Sequence, residues 1–287
     1  MRKSVIFFLI FLNTLFAFTK TDDEVLFRLN IQNDKDAEKV FLFLEKFDLK
    51  KRLFEDWEIE KREKRYNYFY FDTDNLILYK KNIEAVLILN QSKKKFIRLK
   101  DTLFETKRYK KQKSLEEKHP LFGIVKRGER EEFRRILKTA AFVEPLKLKN
   151  LFNLTKLNWD IVISKDNLPY AIITLQKNIL NNFSFKPDYY QISFVIKNRD
   201  KINSDDYRVL KNIATNLEEN LKKEFSFLKK SRCKNSYMCD FAFFKNNIPF
   251  FEYTVRYPLV YYMIYILITG LIGISIVMTV KNFLLKR

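Results

Sequence analysis

A run of residues without any charge, 259–280, constrains this chain more than any other feature. An α-helix rises 1.5 Å per residue, so a run of this length spans the hydrocarbon core of a bilayer, which is about 30 Å thick. Tyrosines crowd the N-terminal side of the run, and their amphipathic rings favour the membrane–water interface. The pattern predicts one C-terminal transmembrane helix over residues 258–280.

The N-terminus carries a shorter apolar stretch. Arg2 and Lys3 precede it, and polar residues follow it from Thr19 onward. A basic start, a brief apolar run and an exit through small residues are typical of a secretory signal peptide, which we predict over 1–19. An uncleaved anchor helix is the alternative, but the stretch is short for spanning a bilayer.

The predicted topology is that of a single-pass type I membrane protein. Lys281, Lys286 and Arg287 follow the predicted helix and give a short basic tail over 281–287. The positive-inside preference places this tail in the cytosol, so the intervening domain lies on the lumenal or extracellular side, in the endoplasmic reticulum or a cell envelope. The lipid bilayer and other membrane proteins are the partners that this topology implies.

The chain is strongly basic, with 55 Lys and Arg against 35 Asp and Glu and a formal net charge of +20 at pH 7. Such an excess favours a phosphorylated small molecule or a polyanion as partner, whereas the predicted topology argues against nucleic acid. Codon bias in an AT-rich genome explains the same excess without any partner. One His, two Cys and four Gly exclude a paired-histidine zinc site, a four-cysteine zinc module and a glycine-rich phosphate loop.

Two kinds of covalent modification are predicted. Cys233 and Cys239 lie close together in a predicted juxtamembrane segment over 231–257, and in an oxidising compartment neighbouring cysteines favour a local disulfide. Sequons for N-glycosylation begin at Asn90, Asn153 and Asn182, although chance alone produces such motifs in a chain this rich in Asn.

Residues 20–230 alternate between the periods of strands and helices and contain no linker that divides them. The predicted fold class is therefore α+β, with an antiparallel sheet or a closed, tunnel-like β-barrel that is flanked by helices. We predict that these residues form one exported domain. The mixed-charge run 55–65 is interpreted as a solvated turn or helix face. Helical spacing predicts helices over 34–52, 127–141 and 204–221. Strands are predicted at 21–31, 66–72, 85–90, 95–100, 147–154, 158–164, 170–176 and 189–197.

The order of these elements carries a resemblance. The first strand opens with EVLFR at 24–28, a helix follows, and YFDTDNLILYKKNIEAVLIL then occupies 70–89. Over residues 22–222 the chain resembles the CYTH, or triphosphate tunnel metalloenzyme, superfamily, which opens with an ExExK strand and continues with a YFDT segment. The resemblance implies a tunnel in which carboxylates hold divalent metal ions and Lys and Arg hold a triphosphate for attack by water.

Carried over residue by residue, this implied site is eroded in its first strands. Glu24 keeps the first carboxylate and is the one candidate metal ligand, but Leu26 stands where the second Glu belongs, and Arg28 replaces Lys. In the strand that the family writes as ALRxR, Leu87 and Leu89 replace both arginines. These leucines also leave open that the interior is a packed core.

The last strand of the implied site has lost its carboxylates. Gln191, Ser193 and Val195 stand where the family has three acidic residues. A single carboxylate holds Mg²⁺ or Mn²⁺ weakly against water, so we do not expect hydrolysis. The basic residues that remain as candidate anion ligands are Arg28, Arg98, Lys100, Lys147 and Lys149.

Three functional hypotheses follow. The favoured one is a membrane protein whose exported basic domain binds or scaffolds, around a phosphorylated anion, with its catalytic residues largely lost. The first alternative is an active tri- or polyphosphatase, and only that alternative requires Mg²⁺ or Mn²⁺ as cofactor. The second is a purely structural subunit of a membrane complex.

Overall fold

The computed structural model describes most of the chain, which divides into two compact units, 1–240 and 241–287. The predicted signal peptide and Asn182 lie outside the described residues. At 105, 261, 264, 265 and 280–284 only the backbone is described. The described residues are 23–31, 33–92, 94–100, 102–106, 121–181, 188–231, 233 and 235–284.

Nine strands of the first unit form one antiparallel sheet in the order β5-β4-β3-β2-β6-β7-β8-β1-β9. This is an open sheet, so the structure selects the first of the two predicted architectures. The strands are β1 (Glu24–Ile31), β2 (Trp57–Asp72), β3 (Ala85–Asn90), β4 (Lys95–Leu99), β5 (Thr102–Glu105), β6 (Lys149–Lys165), β7 (Leu168–Leu180), β8 (Tyr189–Ile196) and β9 (Lys229–Lys230).

Helices connect and cover the strands. Two of them begin where Asn side chains accept hydrogen bonds from first-turn amides, Asn33 from Asp36 and Asn203 from Asp206, as their cap signals predict. The helices are α1 (Asp34–Lys46), α2 (Ile77–Lys80), α3 (Leu121–Ile124), α4 (Arg130–Ala141), α5 (Ser204–Glu224), α6 (Ser236–Asn247), α7 (Phe251–Arg256) and α8 (Pro258–Leu284).

Two hydrophobic clusters lie on one face of the sheet, which we call the helix face. The first joins α1 and α5 to strands β1, β6, β7 and β8 and is centred on residues such as Val40, Leu29 and Leu217. The second joins α2, α3 and α4 to β3, β4 and β5 around residues such as Leu99 and Leu137. Because strand side chains alternate, burial of this face leaves the other face free for polar residues.

Strand β2 corrects one prediction. The mixed-charge run 55–65 is not a solvated turn or helix face; from Trp57 onward it is strand, paired with β6 along its whole length, from Trp57 opposite Lys165 to Asp72 opposite Lys149. Its charges are neutralised locally, for example where Lys61 donates to Glu45 of α1 at 2.6 Å. A long backbone ladder thus outweighs the preference of charged side chains for irregular structure.

The second unit contains the C-terminal part of α6 together with the whole of α7 and α8. Its aromatic residues Phe241, Phe244 and Phe251 are buried against one another, with ring centroids 5.5 Å apart for Phe241 and Phe251. Within the described part of the chain, no helix is both long and apolar enough to cross a bilayer, so the predicted transmembrane helix has no support there.

Candidate anion site on the polar face of the sheet

The face of the sheet opposite the helix face carries a band of polar side chains. Strand register places Tyr66, Lys156, Asn178 and Tyr189 side by side on four neighbouring strands, and similar rows lie on either side of them. We call this surface the polar face. Its polar members include Arg28, Asn30, Arg62, Lys64, Tyr66, Tyr68, Tyr70, Arg98, Lys156, Asn158, Asp160, Thr174, Gln176, Asn178, Tyr189, Gln191 and Ser193.

A buried ion pair occupies the centre of the polar face. The Nζ of Lys156 lies 2.7 Å from Oδ2 of Asp240, which reaches the sheet from α6, and each residue is only 1% exposed. The hydroxyl of Tyr70 donates to the same carboxylate at 2.5 Å, and the hydroxyl of Tyr189 donates to its other oxygen. The carboxylate therefore receives one ammonium and two phenol donors, which compensates the loss of water around the buried charges.

The tyrosines around this pair are held protonated. Burial, together with the negative charge of Asp240, raises the pKa of Tyr70 and of Tyr189 well above the usual value. Burial also raises the pKa of Tyr68, whose ring lies 4.6 Å below the Lys156 ammonium in a cation–π contact. The hydroxyl groups of Tyr70 and Tyr189 therefore remain hydrogen-bond donors to Asp240 over the physiological pH range.

Next to this centre lies an amide without partners. Asn178 is fully buried and is paired in register with Lys156 on one side and with Tyr189 on the other. Neither its Oδ1 nor its Nδ2 has a hydrogen-bond partner in the described structure. Buried amide groups are nearly always satisfied, so this side chain marks an incomplete network beside the ion pair.

Two of the predicted anion ligands, Arg28 and Arg98, lie on the polar face. Arg98 donates to Glu84 at 2.7 Å and lies over the ring of Tyr68, and Arg28 donates to Sγ of Cys239 at 3.5 Å. Burial is the largest single influence and acts to lower the pKa of Arg98, but the charge and hydrogen bond of Glu84, together with Tyr68 and Tyr70, outweigh it and raise that pKa overall. The Nε atoms of both arginines are buried and have no acceptor in the described structure.

The other three predicted anion ligands lie elsewhere. Lys100 is exposed in the turn after β4 and has a positive φ of 57°, and Lys147 is exposed in a 3-10 turn, Pro145–Lys147. Lys149 forms an ion pair with Asp74 at the start of β6. The structure thus does not bring these lysines to the centre of the polar face.

Glu24, the predicted metal ligand, does not share a face with Arg28. The register of β1 shifts between Val25 and Phe27, and this bulge reverses the alternation, so that Glu24 lies opposite Ile196 of the helix face. There its carboxylate accepts a hydrogen bond from Tyr207 of α5 at 3.2 Å. Within the described residues, no group of three or more His, Cys, Asp and Glu is placed to hold a metal ion.

The two cysteines are free thiols in the structure, and the disulfide between them stays a prediction. The hydroxyl of Ser231 lies 3.2 Å from Sγ of Cys239, and the amide of Cys233 donates to that same hydroxyl. A hydrogen bond from Cys239, reinforced by Ser231 and Arg28, lowers the pKa of Cys233 to about 6. The same hydrogen bond and burial raise the pKa of Cys239.

The described sequons lie on the sheet. Asn90 ends β3, and its side chain accepts a hydrogen bond from the amide of Lys94 at 2.8 Å. Asn153 lies within β6, and its Oδ1 is buried. A glycan on Asn153 therefore needs this part of the strand to open, whereas the turn at Asn90 is closer to solvent.

The central residues of the polar face were not predicted from the sequence. Lys156 falls in the gap between two predicted strands, 147–154 and 158–164, which the structure joins into one. Lys156 lies two residues after Leu154 and four before Asp160, and the two-residue period of a strand places all three on the same face. This spacing is the signal that would have placed Lys156 on a strand. Asp240 gives no local signal, because its role depends on how α6 approaches a sheet far away in sequence.

Comparison with known proteins gives distant neighbours. No protein-family profile matches the chain, and no curated protein matches it. Among solved structures, a candidate adenylate cyclase from Bacillus halodurans aligns with a TM-score of 0.44 and 15% identity over 76% of this chain and 98% of its own. A candidate adenylyl cyclase from Hippeastrum, described as having a dominant triphosphatase activity, aligns with a TM-score of 0.40 and 13% identity over 77% of this chain and 94% of its own.

A candidate adenylate cyclase from Vibrio parahaemolyticus aligns with a TM-score of 0.33 and 11% identity over 76% of this chain and 97% of its own. The TM-scores of these three neighbours all lie below 0.5, so the likeness carries no argument about this chain, and the candidate site rests on the geometry of the polar face.

Proposed function

We propose that this chain binds a phosphorylated anion on the polar face of its sheet and acts as a binding or scaffolding protein, not as a hydrolase. The observation that carries the proposal is the pair of buried Nε–H donors of Arg28 and Arg98, which have no acceptor among the described residues. Guanidinium groups bind the oxygens of phosphate through several N–H donors at once, so an oxyanion supplies the acceptors that the described residues do not.

The carboxylates of the polar face support the absence of hydrolysis. Metal-assisted attack on a phosphoanhydride needs carboxylates that are free to hold the metal ions. Three buried carboxylates on or beside this face are already engaged with cations: Glu84 with Arg98, Asp160 with Lys64, and Asp240 with Lys156.

Thermal unfolding of the purified full-length chain in detergent, with and without tripolyphosphate, tests anion binding. Because the Debye length is about 8 Å at 0.15 M ionic strength and shorter at about 0.3 M, non-specific attraction to the basic surface is screened at the higher salt. We expect a rise of several degrees that persists there. Replacement of Arg28 or Arg98 by Met removes this rise, whereas Arg135→Met, a control on the exposed side of α4 that loses a pairing with Glu132, retains it.

Two results contradict this proposal. If the stabilisation disappears at the higher salt, or if sulfate stabilises the chain as much as tripolyphosphate does, the interaction is only a non-specific attraction to the basic surface. Release of inorganic phosphate from tripolyphosphate in the presence of Mg²⁺ or Mn²⁺ shows instead that the chain is a hydrolase.

We also propose that the chain is attached to a membrane, with this domain on the lumenal or extracellular side and with other membrane proteins as partners. The support is the uncharged run 259–280 and the basic residues that follow it in the sequence. In cells that express the full chain, we expect it to stay with the membrane pellet after extraction with alkaline carbonate. Recovery in the carbonate supernatant contradicts the attachment.

A further inference from the structure

We propose that Asp240 is an internal competitor: its carboxylate occupies an oxyanion position built by Lys156, Tyr70 and Tyr189, and a phosphate group of the ligand takes that position when Asp240 withdraws. This inference rests on the proposed function, because it names the part of the polar face at which the bound anion is controlled.

The donors and the acceptor of this position belong to different parts of the fold. Lys156, Tyr70 and Tyr189 lie on β6, β2 and β8, three strands of one sheet, whereas Asp240 lies on α6. The donors are thus fixed by strand register and remain in place if the helix moves. The acceptor alone is separable from the position that it fills.

The chemistry of the donors is that of an oxyanion site. An ammonium at 2.7 Å and a phenol hydroxyl at 2.5 Å point at Oδ2 of Asp240, and a second phenol points at Oδ1. Charge-assisted bonds of this kind bind carboxylate and phosphate oxygens alike. A carboxylate is therefore a chemical substitute for a phosphate group in this position.

The donor set also exceeds what a carboxylate uses. The buried amide of Asn178, between the strand positions of Lys156 and Tyr189, has no partner in the described part of the chain while Asp240 is in place. A phosphate group has more acceptor oxygens than a carboxylate, so it can engage a further donor. The unsatisfied amide thus points to a ligand with more oxygens than Asp240 provides.

Contacts in the first turns of α6 hold Asp240 at the sheet. The hydroxyl of Tyr237 donates to Asp72 at 2.9 Å, and its ring stacks on Tyr70 with a centroid distance of 5.3 Å. Sγ of Cys239 accepts a hydrogen bond from Arg28. The charge of Arg28 also acts on Tyr189, one of the three donors, so the arrival of an anion and the release of α6 affect the same side chains.

Chemical rescue of the variant Asp240→Asn tests the inference. This change keeps the shape of the side chain but leaves Lys156 buried without a counter-charge, so the melting temperature falls. We expect inorganic phosphate to recover most of the loss, and the affinity of the variant for tripolyphosphate to exceed that of the wild type at least tenfold. The matched control is Asp206→Asn, which removes another buried carboxylate paired with a lysine, Lys165, on the helix face. Phosphate does not rescue that control.

Two further measurements keep the test decisive. The double variant Lys156→Met/Asp240→Leu removes both charges and is expected to fold but to show no rescue by phosphate. Hydrogen exchange on the wild-type chain needs no variant: tripolyphosphate is expected to speed exchange at residues 236–240, because bound anion displaces Asp240. Unchanged or slower exchange there, at concentrations of tripolyphosphate that stabilise the wild type, overturns the internal competitor but leaves anion binding standing.

The remaining outcomes separate this inference from the proposed function. Suppose that tripolyphosphate does not stabilise the wild type at high salt, but phosphate rescues Asp240→Asn. The rescue then supports the oxyanion position, whereas the missing stabilisation contradicts the proposed function of the intact chain. If phosphate rescues Asp240→Asn no better than Asp206→Asn, the oxyanion position does not exist.

Discussion

At the scale of single residues, the cysteine pair shows how neighbours divide one negative charge. The hydrogen bond from Cys239 lowers the pKa of Cys233 to about 6, and the same contact with burial raises the pKa of Cys239. Cys233 is half-buried, whereas Cys239 is buried. At neutral pH the thiolate therefore resides on Cys233, the more accessible of the two sulfurs.

We expect Cys233 to react with iodoacetamide as a thiolate already at pH 7. Its alkylation rate rises through a midpoint near pH 6 and is flat between pH 7 and 8. The alkylation rate of an unperturbed thiol, with a pKa of about 8.5, instead rises about eightfold over that interval. Mass spectrometry of the alkylated chain, with Cys233→Ser as the control for modification at Cys239, measures the profile.

Either of two results contradicts this expectation. A rate that still climbs between pH 7 and 8 contradicts the lowered pKa. Labelling that appears only after treatment with a reductant shows instead that the predicted disulfide forms in the purified chain.

At the scale of elements, helices were the most predictable part of the fold. The apolar spacing of α1, α4 and α5 and the Asn caps of α1 and α5 are local signals, so the sequence places these helices, with only their ends displaced. The predicted helix over 34–52, for example, ends at Lys46 and is followed by a 3-10 turn, Lys50–Arg52. Helix ends fray, and their exact position depends on tertiary contacts.

Strands depended more on pairing that the sequence does not display. β2 and β6 are both far longer than predicted, because each continues for as long as the other offers a partner. Polar residues such as Lys156 and Asn158 interrupt the apolar alternation but lie on the polar face, where they need not be apolar. Where a strand has a polar face, alternation alone underestimates its length.

The bulge in β1 explains why the candidate site was only partly predictable. A strict two-residue period places Glu24 on the same face as Arg28, and one extra residue between Val25 and Phe27 reverses this. Arg28 and Arg98, both predicted as anion ligands, lie on the polar face, and their role as ligands stays a prediction. Asp240 could not be predicted, since its contact with Lys156 joins positions that are remote in sequence.

At the scale of the first unit, two hydrophobic clusters share one sheet. β2 contributes Trp57 to the cluster under α1 and α5, and it contributes Phe71 to the cluster under α2, α3 and α4. A single strand with continuous pairing to β6 thus joins both ends of the core. Because neither cluster can lose its packing without exposing part of β2, we expect the sheet to unfold as one cooperative unit.

Cavity-forming variants in each cluster test this cooperativity. Leu217 and Leu137 are fully buried in the first and second cluster, and replacement of either by Ala lowers the free energy of unfolding by roughly 2–5 kcal/mol. Leu146→Ala is the control, because that side chain is 73% exposed and its loss changes stability by less than about 0.5 kcal/mol.

The two tryptophans of the chain make the test specific, since Trp57 and Trp159 both belong to the first cluster. Tryptophan fluorescence therefore reports on that cluster, whereas circular dichroism reports on the whole backbone. Since the clusters are coupled through β2, we expect Leu137→Ala, a change in the second cluster, to move the urea midpoint equally by both methods. A midpoint that moves by circular dichroism while the fluorescence midpoint stays in place means that the two clusters unfold separately and that β2 does not couple them.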